Sequence, residues 1–190
     1  MRGVKNILKI LSIVVLLFNG SFAFSQTVSF ELKTSPNITF DFNTIQEYIN
    51  GITYMNALTL NINSDRRFDI YVGATTTNPG FWNVTSTYSN GGAPPPVSML
   101  KIQMRNGSST SLVSGFFALQ DIATPTYIIG TSVAPDPSIA CPNNGTNAPG
   151  DYSANPSCYK FNVDLRIVPG FSYQSGLYDL RVDYVIIQDL

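Results

Sequence analysis

The chain contains no histidine among its 190 residues. This excludes Ser-His-Asp and Cys-His catalysis and removes the commonest general base at neutral pH. Carboxyl pairs remain as candidates, since two acids flank the scissile bond in glycoside hydrolysis. The acidic residues, however, mostly alternate with apolar residues in strand-like runs, as do Glu31, Asp164, Asp179 and Asp183. We interpret these as groups on a solvated sheet face and predict no catalytic residue.

A second group that could do chemistry is the oxygen-rich stretch from Asp136 to Asp151. The side chains of Asn143, Asn144 and Asn147 could bind calcium, but Asn and Asp are also the ordinary residues of turns. The two thiols of the chain lack the histidine partners that complete a usual zinc site. We therefore predict no metal site, and no glycine-rich phosphate loop or other motif indicates a cofactor.

Aromatic residues form the strongest candidate binding group. Phe81, Trp82 and Tyr88 lie in a predicted loop over residues 78–96. Exposed aromatic faces stack on sugar rings or anchor partner proteins. The alternative is that Trp82 covers one end of the core. The sequence leaves both interpretations open.

Cys141 and Cys158 are the only cysteines. In an oxidising compartment two cysteines pair, so we predict a disulfide that closes the Pro-, Asn- and Gly-rich segment 134–157 as a surface loop. Two separate buried thiols are the alternative.

The first 25 residues have the layout of a secretory signal peptide. Basic residues precede the apolar stretch 10–18, and Ala23 and Ser25 fit a cut before Gln26. An uncleaved membrane anchor is the alternative. We predict a single mature domain over residues 26–190, exported to the periplasm, the cell surface or the exterior. No later stretch is long and apolar enough to span a membrane.

Charge excludes one class of partner. Loss of Arg2, Lys5 and Lys9 with the leader leaves eight of the eleven basic residues against twelve acidic ones. A chain of this balance does not attract nucleic acid or anionic lipid, and Arg66-Arg67 is too small a patch to change this.

The elements that must position these residues are mostly strands. Period-two alternation places one face of a strand on a core and the other in water. Several such runs between turns predict an all-β, Ig-like or pilin-like antiparallel β-sandwich. The runs begin near residues 28, 58, 68, 100, 159 and 178.

One segment departs from this pattern. The sequence Thr44-Ile45-Gln46-Glu47 is a capping box followed by apolar residues at helical spacing. It predicts one short helix, between a strand at residues 38–42 and the next strand, and we expect the apolar stripe to close an end of the sandwich.

Two stretches carry a resemblance to a known group. Residues 40–45 with 57–62, and the closing run 175–186, resemble the first and last strands of secreted bacterial β-sandwich domains of the spore coat U and WxL type. The whole chain is similar to small exported proteins of Bacteroidetes. The resemblance implies a pilin-like sandwich used in surface structures, adhesion or coats, with no active site.

These observations predict a non-catalytic, exported structural or adhesive protein. In a sharper form of this hypothesis the first mature strand, residues 28–34, completes the sheet of another copy, because edge strands are templates for pairing. The partners are then further copies or other surface proteins. The alternative to this exchange is that these residues form an edge strand of their own sheet. The alternative function is a glycan- or ligand-binding module that uses Phe81, Trp82 and Tyr88.

Overall fold

The part of the chain that the structure describes is mostly β. The computed structural model describes residues 27–34, 37–89, 91–106, 111–112, 115–141 and 145–189, so the predicted signal peptide and its cleavage site lie outside the described residues. The helices of this part are α1 (Ile45–Asn50) and α2 (Pro156–Tyr159), with a 3₁₀ turn at Val97–Met99. Its strands are β1 (Val28–Thr34), β2 (Ile52–Ser64), β3 (Phe68–Thr75), β4 (Asn83–Thr87), β5 (Leu100–Asn106), β6 (Phe117–Ala118), β7 (Thr126–Ile129), β8 (Gly150–Asp151), β9 (Lys160–Ile167), β10 (Gly176–Asp179) and β11 (Arg181–Gln188).

Two antiparallel sheets form the sandwich, which confirms the predicted all-β fold. The larger sheet has the order β1-β2-β9-β5-β6, with β8 pairing with the end of β2. The smaller sheet has the order β11-β3-β7. Strands β4 and β10 form a separate two-stranded ribbon.

The core lies between the two sheets and is built from alternate residues of their strands. Burying one such aliphatic or aromatic side chain stabilises the fold by about 1.5–3 kcal/mol. The fully buried core residues of the larger sheet include Leu60, Ile62, Ile102, Met104, Phe161 and Val163, and those of the smaller sheet include Phe68, Ile70, Val72 and Ala74.

A bulge in β2 is held by a buried ion pair. The register of β2 against β9 shifts between Tyr54 and Leu58, and Asn56 adopts a positive φ of 52° there. The Asp164 carboxylate accepts the Asn56 amide at 2.7 Å and Nε and Nη2 of Arg105 at 2.8 and 2.7 Å. The expectation that Asp164 is solvated is wrong, because Arg105 and the bulge cover it and its side chain is 0% exposed.

The capping box at the start of α1 is confirmed. Glu47 donates its amide to the Thr44 hydroxyl at 3.2 Å, and the Thr44 amide donates to the Glu47 carboxylate at 2.9 Å. The Asn43 amide, which donates to the Glu47 carboxylate at 2.7 Å, and then the Thr44 amide lower the pKa of that carboxyl. The helix ends at Gly51, whose φ of 78° suits glycine.

The expected role of the helix as a plug is wrong. Ile45 and Ile49 are 71% and 53% exposed, and no residue of α1 is buried. The helix instead rests on the turn before β10: Tyr48 stacks on Phe171 at a centroid distance of 5.5 Å, and its carbonyl accepts the Gly170 amide at 3.0 Å. The apolar stripe therefore faces outward.

The predicted disulfide between Cys141 and Cys158 is present. The two Cα atoms lie 5.8 Å apart, within the usual range for a disulfide. Cys158 is buried on α2, a second helix that the sequence analysis does not predict. The disulfide therefore joins the loop to the core rather than closing it at the surface.

The loop itself also enters the interior, at Asn147 among other residues. Asn147 is fully buried. Its side chain accepts the Ile139 amide at 2.7 Å and donates to the Pro137 carbonyl at 3.1 Å. This supports the interpretation of Asn147 as a turn residue, but the expectation of a wholly superficial loop is wrong.

Several strand boundaries differ from the sequence prediction. Strand β4 lies within residues 78–96, which the sequence predicts as a loop, and β2 begins at Ile52 rather than near residue 58. Residues 38–42 form no strand, although Phe40 contacts the Tyr54 ring at 4.7 Å. The run from residue 178 is interrupted at Leu180, where the chain passes from the β4–β10 ribbon to the pairing of β11 with β3.

Candidate functional site

Strand β1 occupies one edge of the larger sheet and is the candidate assembly site. Among the described residues it pairs with β2 alone. Phe30 and Leu32 lie opposite Ile62 and Leu60 in this pairing. The two β2 residues are 0% exposed, whereas Phe30 and Leu32 are 45% and 41% exposed. Leu60 and Ile62 are thus fully covered, whereas nearly half of the Phe30 and Leu32 surface stays accessible.

The outward face of β1 is held by weak polar contacts. Glu31 accepts the Asn61 side-chain amide at 3.1 Å, and Lys33 Nζ lies 3.4 Å from the Glu31 carboxylate. The Asn61 hydrogen bond, followed by Lys33, lowers the pKa of Glu31. The ion pair is 60% and 52% exposed, and such pairs stabilise little. Strand β1 therefore depends mainly on its backbone ladder with β2.

Phe81 and Trp82 lie beside the end of the core. Trp82 is half-buried and packs against the core cluster. Its indole N–H donates to the Pro96 carbonyl at 3.1 Å, and its backbone amide donates to the Pro95 carbonyl at 2.9 Å. Phe81 forms a single β-bridge with Pro96 and is 39% exposed. The only tryptophan is therefore tied to the segment 95–96, and Phe81 is the more accessible of the two rings.

Tyr88 lies apart from these two residues. It follows β4, whereas Trp82 precedes it, and six residues of extended chain span about 20 Å. The Tyr88 amide donates to the Ser175 carbonyl at 2.8 Å, and its side chain is 69% exposed. The structure does not bring the three aromatic residues into one cluster. Ligand binding by them stays a prediction.

Three carboxyl groups that the sequence analysis assigns no site lie close together. Asp69, Asp136 and Asp189 are 1%, 8% and 5% exposed. The feature of the sequence that could have drawn attention to Asp69 is that it is the one charged residue of the otherwise apolar strand β3. Because all three are buried, a saccharide cannot reach them, and the hydrolase interpretation gains no support from this carboxyl group cluster.

Two general findings concern ligands and membranes. Within the described ranges no three His, Cys, Asp or Glu residues are placed to hold a metal ion. Neither α1 nor α2 has the length of a membrane span, and no other helix of the described residues does.

Comparison with known proteins gives no further identification. No protein-family model matches the chain, and no curated protein matches it.

Proposed function

We propose that the protein is a non-catalytic, exported structural or adhesive surface protein whose copies assemble by exchanging β1. The observation that carries this proposal is the edge position of β1, with Phe30 and Leu32 almost half exposed on its core-facing side. An edge strand held by one ladder can leave its sheet at lower cost than an interior strand.

The exchange replaces each β1 with the same strand of a neighbour. Departure of β1 uncovers the edge of β2, where Leu60 and Ile62 face the core. A second copy of β1 restores the same seven residue pairs, since its sequence is identical. Each sandwich is then completed by its neighbour, and a chain of copies forms without any new type of contact.

Export is supported by separate features. The first 25 residues read as a signal peptide, and the Cys141–Cys158 disulfide fits an oxidising compartment.

A disulfide between β1 and β2 tests the exchange. Ser29 and Asn63 lie directly opposite each other, and both are exposed. The Cα atoms of directly paired residues in antiparallel strands lie about 4.5–5.5 Å apart, which is within the range that a disulfide spans. We expect Ser29→Cys/Asn63→Cys in the chain from Gln26 to fix β1 to its own sheet and keep the oxidised protein monomeric. Light scattering gives the size, and circular dichroism verifies the fold.

The matched control is Ser29→Ala/Asn63→Ala, which changes the same positions without a crosslink and should assemble like the unmodified chain. A form that lacks residues 26–34 should fail to assemble, and a peptide of those residues should bind it. A monomeric unmodified chain would refute strand exchange, and so would assemblies whose subunits carry the new disulfide within one chain. Disulfides that join β1 of one copy to β2 of the next, seen on a non-reducing gel, would support it.

The second candidate function is glycan or ligand binding, favoured by the accessible rings of Phe81 and Tyr88. Trp82 reports on it because it is the only tryptophan. Since Trp82 packs on the core, we expect a blue-shifted indole emission. Addition of oligosaccharides should leave this emission unchanged under the assembly proposal. A saturable change that Phe81→Ala removes and Tyr173→Ala preserves would instead favour binding.

A further inference from the structure

The cluster of Asp69, Asp136 and Asp189 joins three separate parts of the chain. Asp69 belongs to β3, Asp189 follows β11, and Asp136 lies in the loop after β7. Both Asp189 oxygens accept the Asp136 amide, at 3.0 and 2.9 Å. The Asp136 carboxylate accepts the amide and, at 2.9 Å, the hydroxyl of Thr131. The Asp189 carboxylate therefore fastens the loop of residues 130–137 to the end of β11, and the Asp136 carboxylate holds the loop to itself.

Asp69 differs from the other two because its buried Oδ1 has no hydrogen-bond partner. A Cβ atom on Gly130 would clash with Asp69 Oδ1 and lie 2.9 Å from Asp136 Oδ2. The two carboxyl oxygens thus crowd against the same glycine. A buried carboxylate oxygen without a donor costs free energy, so this arrangement calls for a proton or another cation.

The charged and titratable groups around Asp69 do not neutralise it. Arg67 Nε lies 3.8 Å from Asp189, its side chain is 36% exposed, and its Nη1 donates to the Asp136 carbonyl. Tyr127 on β7 faces the cluster, and burial raises the pKa of its hydroxyl. One partly exposed cation, Arg67, therefore lies beside three buried carboxyl groups.

The electrostatics agree with this geometry. Burial is the first cause that raises the pKa of Asp69 to about 6, and the charges of Asp189 and Asp136 act in the same direction. Arg67 opposes them with a smaller effect.

We propose that Asp69 is a proton-operated latch that holds the loop of residues 130–137 against β3 and the end of β11. A proton from solvent binds to Asp69 Oδ1, and the new O–H donates to the neighbouring Oδ2 of Asp136. The unpaired acceptor becomes a donor, and the cluster loses one negative charge. As the pH rises, the proton returns to solvent and the loop loosens. This inference is independent of strand exchange.

The direction of the pH effect follows from the two states of the latch. In the closed form the Asp69 pKa is raised from the ordinary value of 3.8 to about 6. Opening of the loop exposes Asp69 and moves it away from Asp136, so its pKa falls back toward the ordinary value. The closed form therefore binds the proton more tightly. The free energy by which proton binding favours the closed form over the open form is fully present below about pH 4. It is lost as the pH rises through about 6.

Amide hydrogen exchange by NMR measures the latch directly. The amides of Asp136 and Thr131 are bonded within the cluster. We expect their protection factors, corrected for intrinsic exchange, to fall about tenfold between about pH 5 and pH 7.5. Asp69→Asn carries a neutral donor at the same place and should remove this pH dependence. The control Asp183→Asn, a carboxyl between β11 and β3 but outside the cluster, should retain the tenfold fall.

Three results would overturn the proposal. One is protection that does not change with pH in the unmodified chain, and another is an Asp69→Asn variant that still shows the full fall. The third is restoration of protection at about pH 7.5 by millimolar calcium chloride in the unmodified chain but not in Asp69→Asn, because a metal cation would then occupy the place of the proton.

Discussion

Replacement of Asp164 with alanine is expected to destabilise the sandwich by about 3–5 kcal/mol, the usual cost of breaking a buried ion pair. The change leaves the Arg105 guanidinium, which is 15% exposed, without its carboxylate. It also removes the acceptor of the Asn56 amide at the positive-φ position of the β2 bulge. Native domains are stable by only about 5–15 kcal/mol, so a large part of the stability is lost.

Urea unfolding followed by circular dichroism measures this loss. The matched control is Asp183→Ala, which breaks a pair with Arg181 whose side chains are 71% and 26% exposed. Its effect should stay at about 1–2 kcal/mol, because the pair with the exposed Arg181 contributes little and the Thr75 hydroxyl donates the one other hydrogen bond to Asp183 among the described residues. Equal losses for the two variants would show that burial of Asp164 is not what makes its pair important.

Removal of the disulfide is expected to lower the free energy of unfolding by about 3 kcal/mol. Cys141 and Cys158 are 17 residues apart, and a crosslink that closes a loop of this length restricts the unfolded chain by about that amount. Alanine is the suitable replacement, because Cys158 is buried and a serine hydroxyl would need a partner there.

The measurement compares urea unfolding of the oxidised protein, the reduced protein and Cys141→Ala/Cys158→Ala. The last two should agree and lie below the first. If the reduced protein were as stable as the oxidised one, restriction of the unfolded chain by this crosslink would not contribute to the stability of the fold.

The strands of the fold were predictable because each core strand alternates in its own sequence. The buried residues Leu58, Leu60 and Ile62 are two apart, and a period of two has no other ready interpretation. The capping box was equally local, since Thr44 and Glu47 bond to each other. In both cases the information lies within a few residues.

The interruption at Leu180 and the exposure of α1 were not predictable, because both depend on distant partners. The run from residue 178 alternates without a break, and only the separate pairing of β10 with β4 divides it. The stripe of Ile45 and Ile49 is amphipathic in sequence, but nothing in it shows whether another element will cover it.

For the candidate site the sequence identified β1 as a strand, yet its edge position is a property of the sheet order. The carboxyl group cluster has a similar cause. Asp69, Asp136 and Asp189 are spread over more than half of the chain, and each has a sequence context that fits an ordinary strand or turn. Asp164 was placed on the correct face, but its burial depends on Arg105 from another strand.

The order of strands in the larger sheet also sets the time at which the chain can fold. Strand β9 lies between β2 and β5. The β2–β9 and β9–β5 ladders therefore cannot form before the segment that begins at residue 160 has been synthesised. During synthesis the core faces of β2 and β5 have no common neighbour until the last part of the chain has emerged. Pairing of such distant segments is slow. For the export that we propose this delay is favourable, because the chain remains unfolded long enough to be threaded through a membrane channel.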